Sequence, residues 1–116
     1  KISQKNTNKL NSKIANNLKI FSNKNSKNII EIEINSVKKI QTVQKDNKGD
    51  PSRFQMTIVL NINIIGENYN KSKSFSSNFN YDNNSNKFSL KEYEKEIENN
   101  LIGKIVEKSV IYLSDI

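Results

Sequence analysis

Neither histidine nor cysteine occurs in this 116-residue chain. Without cysteine these residues form no disulfide, carry no thiolate nucleophile and hold no cysteine-ligated metal. Without histidine the commonest general base and the commonest metal ligand are missing too. Glycine is scarce, and Gly49, Gly66 and Gly103 lie too far apart to build a phosphate-cradling loop. Pro51 is the only proline and Arg53 the only arginine. No apolar run approaches the ~20 residues that a membrane-spanning helix needs. Carboxylate pairs are the one remaining route to general acid–base work. Glu31 and Glu33 share a strand face, and Glu94 and Glu98 are one helical turn apart; both pairs read as solvated surface groups, where carboxylates usually sit. The expectation is a non-enzyme, with no catalytic residue, no metal and no cofactor.

What the chain does have is lysine, asparagine and isoleucine. Nineteen basic residues against 12 acidic give a formal charge of +7. Such a balance suits nucleic acid, an anionic membrane surface or an anionic ligand. Because lysine and asparagine crowd the whole length, a general compositional bias accounts for much of that charge. Hydrophobic residues are 34% of the total, low but gathered into periodic runs, as folding requires. The length suits one domain, residues 1–116. The chain begins at Lys1 with neither methionine nor an apolar leader, so any export or anchoring signal is expected to lie upstream.

The clearest periodicity runs from Ser52 to Ile64. Phe54, Met56, Ile58, Leu60, Ile62 and Ile64 alternate with mainly polar residues, Val59 excepted. Successive strand side chains point to opposite faces, so this is a long strand with one apolar side. Burying each of the six contributes about 1.5–3 kcal/mol, which makes the strand the expected centre of the fold. Two amphipathic helices are available to cover it. The first, over residues 7–21, places Leu10, Ile14, Leu18 and Phe21 on one face and has Thr7 as its N-cap. The second runs to about residue 113, with Leu90, Tyr93, Ile97, Leu101, Ile105 and Tyr112 in one stripe and a Ser89–Glu92 capping box at its start. Between them, residues 29–43 form a strand whose alternation slips at Ser36-Val37, a mark of a bulge or a strand end. Residues 45–51 form a loop, Gly66 opens a turn, and a third strand runs from Ser74 to Tyr81 with Phe75, Phe79 and Tyr81 on one face. The predicted fold is α+β: an antiparallel sheet of three to four strands with two helices packed on one face, in the order α-β-β-β-α.

Three stretches resemble the LptE family of lipopolysaccharide-assembly lipoproteins. They are the first helix from Asn8-Lys9-Leu10-Asn11 to Leu18, the Ser52-Arg53-Phe54 opening of the long strand, and the Ser72-to-Tyr81 strand followed by an asparagine-rich loop and a terminal helix ending at Tyr112-Leu113. The resemblance implies a lipoprotein on the periplasmic side of the outer membrane that plugs the LptD barrel and binds lipopolysaccharide. It also implies an acylated N-terminal cysteine as lipid anchor, which these residues lack, and a strand before the first helix, for which Lys1-Ile2-Ser3 is the available stretch. For an anionic, phosphate-bearing lipid the candidate contacts are Lys45, Lys48 and Arg53 around the loop before the long strand, with Lys71 and Lys73 opening the third. Two other classes compete. A double-stranded RNA-binding domain has the same element order, but the last helix opens Lys91-Glu92-Tyr93-Glu94-Lys95-Glu96, too acidic for a phosphate backbone, so no nucleic acid is expected. A generic periplasmic interaction domain without a lipid ligand fits the same pattern.

Overall fold

The structure is a computed structural model that describes residues 2–4, 9–22, 31–66 and 69–114. In chain order the elements are β1 (Ile2–Gln4), α1 (Lys9–Ser22), β2 (Glu31–Lys45), β3 (Pro51–Gly66), β4 (Tyr69–Asp82) and α2 (Lys87–Ser114). The three long strands form an antiparallel meander and both helices lie on one of its faces, as the periodicity predicts. The fourth strand of the sheet is β1, which pairs parallel to the start of β2, Ile2 opposite Ile32 and Gln4 opposite Ile34. The Thr7 cap, the loop at 23–28, the strand start at residue 29 and the turn at 67–68 lie outside the described residues, as does the side chain of Phe21.

Strand length sets the shape. Sixteen residues of β3 extend ~53 Å at a strand's rise per residue. The molecule accordingly measures 57 × 23 × 21 Å, with a radius of gyration of 16.9 Å. A rounder domain of this length would have a radius of gyration of ~13 Å. Met56, Ile58, Leu60, Ile62 and Ile64 form the inward row of β3 and are at most 1% exposed. They pack with Ile14 and Leu18 of α1, Ile32 and Ile34 of β2, and Ile97, Leu101 and Ile105 of α2. The 28 residues of α2 span ~42 Å and cover β3 and β4 along most of the sheet. The 14 residues of α1 span only ~21 Å and cover β1 and the first half of β2. Beyond Ser36 every residue of β2 is therefore exposed, including Val37, Ile40 and Val43.

Three local expectations change. β2 runs through Ser36-Val37 without a break, and its register shifts only between Thr42 and Lys45. Ser36 faces inward because α1 supplies a polar partner: its hydroxyl donates to Asn11 Oδ1 at 2.8 Å, and Asn11 Nδ2 donates to Ile34 O at 3.3 Å. Both side chains are buried and satisfied, so a serine at a core position marks the docking point of a helix. The start of α2 is also different. Asn86 Oδ1 accepts from the backbone N–H of Phe88 and of Ser89, each at 3.1 Å, so Asn86 is the N-cap and Ser89 lies inside the first turn. On β4, Tyr81 is buried and Phe75 packs against the core, whereas Phe79 is 43% exposed.

Candidate functional site

The structure divides the five candidate cations between the two ends of the sheet. Lys45, Lys48 and Arg53 cluster at the β2–β3 hairpin. Its turn is held by Asp46, whose Oδ1 accepts from the N–H of Lys48 and of Asp50, both at 2.9 Å, and Gly49 supplies the required positive φ of 85°. Three carboxylates share this end. Asp46 and Asp50 sit in the turn, and Asp82 Oδ1 lies 3.2 Å from Arg53 Nε. Cations and carboxylates therefore balance, and the hairpin end has no net pull on an anion.

Lys71 and Lys73 lie opposite Ile64 and Ile62, ~30 Å along β3 from Arg53. The structure thus does not bring all five together. Here the two ammonium groups stand over the Tyr112 ring, at 5.7 and 5.8 Å from its centroid. The ring's negative face attracts both cations and helps to hold two like charges side by side. Phe75 meets the same ring edge-on, with centroids 5.7 Å apart. The Tyr112 hydroxyl is buried and has no hydrogen-bond partner among the described residues.

Two further lysines extend this corner along the α2–β4 seam. Lys108 donates to Ser76 O at 3.2 Å, and Lys104, one turn earlier on the same face, borders a cleft of about 280 Å³ with Phe79, Tyr93, Glu96 and Asn100. The seam is a basic strip beside exposed aromatic surface. Lys104 and Lys108 are not among the candidates read from the sequence, and the pattern places Tyr112 in the core stripe. The available signal was the i, i+4 spacing of the two lysines, which periodicity alone does not pair with β4.

Glu94 and Glu98 are structural groups rather than a surface stripe. Tyr81 donates its hydroxyl proton to Glu94 Oε2 at 2.5 Å, and burial, followed by that carboxylate, pushes the phenol well above its ordinary range. Glu98 receives Lys13 Nζ of α1 at 2.8 Å on one oxygen and Lys38 Nζ of β2 at 3.0 Å on the other. Burial opposes its ionisation, yet the two lysines more than offset this and hold the carboxyl below its usual value. This single carboxylate ties both helices to the sheet.

The outer face of the sheet is polar and mostly uncharged in its middle. Ser72 and Ser74 donate to Asn63 and Asn61 directly opposite them, at 3.0 and 2.8 Å, and Gln41 donates to Gln55 at 3.1 Å. Cross-strand pairs of this kind satisfy the side chains laterally, so a polar wall can approach without uncovering unpaired groups. Among the described residues no group of three or more acidic side chains is placed to hold a metal ion, and no helix is long and apolar enough to cross a membrane.

Fold and site together define a class: a one-sided sheet, covered by two helices, with a polar outer face and a basic strip along one seam. Among solved structures the chain is similar to the rare lipoprotein B from Shewanella oneidensis, at a TM-score of 0.69 and 10% sequence identity, over 97% of this chain and 93% of that one. At that identity the likeness speaks for the fold. No protein-family model and no curated protein matches the sequence.

Proposed function

We propose that this chain is a non-enzymatic outer-membrane lipoprotein of LptE type, which plugs the LptD barrel from the periplasmic side and binds lipopolysaccharide. The observation that carries the reading is the near end-to-end correspondence of its fold with that of the rare lipoprotein B. Two physical features support it. The laterally hydrogen-bonded asparagine, serine and glutamine side chains of the outer face suit contact with the polar lumen of a barrel. The seam of Lys71, Lys73, Lys104 and Lys108 beside Phe79 and Tyr93 suits a ligand that combines phosphate groups with apolar surface. The lipid anchor that the reading requires would lie upstream of Lys1.

Co-purification with the LptD barrel in mild detergent tests the partner, and failure to co-purify overturns the plug. Lipopolysaccharide capture tests the ligand. Charge reversal at Lys71 and Lys73 (K71E/K73E) is expected to weaken capture at least ~10-fold, while the same reversal at Lys45 and Lys48 leaves it nearly unchanged, because the hairpin carboxylates already cancel those charges. Equal losses from both pairs would place the ligand elsewhere.

A further inference from the structure

The two long edges of the sheet differ, and backbone geometry shows how. Asn83 donates its N–H to Ser52 O at 2.9 Å, so the backbone of Ser52 points toward β4. Along an antiparallel strand the N–H and C=O of successive residues turn to alternate sides. Even-numbered residues of β3 therefore bond to β4 and odd-numbered ones to β2. In the unbroken register Lys39 lies opposite Thr57 and Gln41 opposite Gln55, so these two turn inward to β3. Lys38, Ile40 and Thr42 must then aim their N–H and C=O groups off the far edge of β2. Asn11 bonding to Ile34 O and Lys108 bonding to Ser76 O agree with this alternation on both edges.

On the β2 side, β1 pairs only with Ile32 to Ile34, and among the described residues no strand pairs with Lys38, Ile40 or Thr42. On the β4 side, the Lys108 ammonium occupies a carbonyl in the middle of the edge. Among the described residues the β2 edge beyond Ser36 therefore presents a row of backbone groups with no strand partner, of the kind that templates another strand, and it lacks the lysine contact that β4 carries at mid-edge. Ile40 is 42% exposed there, beside a groove of about 880 Å³ between α1, α2 and β2 that is bordered by Leu10 and Val37.

Charge selects the occupant. Lys38 and Lys39 lie on this stretch of β2, and Lys9, Lys13, Lys38 and Lys95 border the groove around the single carboxylate of Glu98, so cations outnumber anions there. A second copy pairing through the same edge would bring two basic edges and grooves together, which is unfavourable. An acidic strand would meet opposite charge instead. We propose that the β2 edge from Lys38 to Thr42 is a docking site for an extended acidic segment of a partner protein, which adds as a fifth strand of the sheet. The proposal does not depend on lipid binding or on the barrel. Backbone groups of Lys38, Ile40 and Thr42 supply the hydrogen bonds, and the lysines select the sequence.

The probe is a blocked synthetic peptide that alternates glutamate with valine, titrated into the isotope-labelled chain. The amides of Lys38, Ile40 and Thr42 are expected to shift and to gain protection from hydrogen exchange, whereas Lys39 and Gln41 are protected already. Binding should weaken as salt rises, and the same peptide with lysine for glutamate should not bind. Ile40→Pro removes an outward N–H while sparing the ladder to β3, and is expected to weaken binding at least ~10-fold. The K9E/K39E double variant should weaken it similarly, and it provides the test if the proline variant does not fold. Binding that survives the charge reversal, a footprint away from β2, or equal binding of the lysine peptide overturns the proposal. Edge protection arising from self-association, seen as a dimer in sedimentation, also overturns it.

Discussion

Replacing Glu98 by glutamine keeps the shape of the side chain and removes the charge that both Lys13 and Lys38 seek. The Glu98 side chain is 12% exposed and the lysines 35% and 40%, so each arm of the fork is partly shielded from water. A fully exposed ion pair is worth ~0.2–1 kcal/mol and a hydrogen bond to a charged group ~1.5–3 kcal/mol, so two half-shielded arms, of which glutamine retains part, give a loss of about 1–2 kcal/mol. For a chain of this size that lowers the melting temperature by about 4–8 °C at neutral pH. The pH dependence supplies the stricter check. Because the folded carboxyl titrates below its ordinary value of 4.5, its contribution is complete above that value and fades as pH falls through the lower, folded one. Wild type and Glu98→Gln should therefore differ most near neutral pH and converge in acid. Thermal melts followed by circular dichroism across the acid range measure this, and Lys13→Met and Lys38→Met, combined with Glu98→Gln in double-mutant cycles, assign each arm. A wild-type–variant gap that is absent at neutral pH, or unchanged in acid, refutes the reasoning.

Two further stability predictions follow from polar groups whose partners are specific. Asn86→Ala should cost about 1 kcal/mol through loss of the helix cap, while Ser89→Ala, at an exposed site within the first turn, should leave chemical denaturation nearly unchanged. Asn11→Ala strands the buried Ser36 hydroxyl and should cost about 1–3 kcal/mol, much of it recovered when Ser36→Ala is added, since removing both partners leaves no orphan.

The covering helices, the inward row of β3 and the order of the long elements were legible because periodicity is local. Alternation along 52–64 needs no knowledge of the rest of the chain to announce a strand with one apolar side. The stripe from Leu90 to Ile105 announces a helix in the same way, and the antiparallel order follows from short connections. Sequence also set the chemistry that these residues lack, since without histidine or cysteine whole families of catalytic and metal sites are closed to them.

The remainder was decided by distance in space. The Glu98 fork joins residues 85 and 60 positions apart, and nothing in the neighbourhood of Glu98 separates it from the other glutamates of its helix. The lysines resembled one another in sequence; only the fold set Lys71 and Lys73 over Tyr112 and left Lys45, Lys48 and Arg53 among carboxylates at the opposite end. The open half of β2 arises from a mismatch of lengths, a 14-residue helix laid on a 15-residue strand that rises more than twice as far per residue. A side chain's periodic neighbours are fixed by its own element, but its partners across elements exist only once those elements have packed.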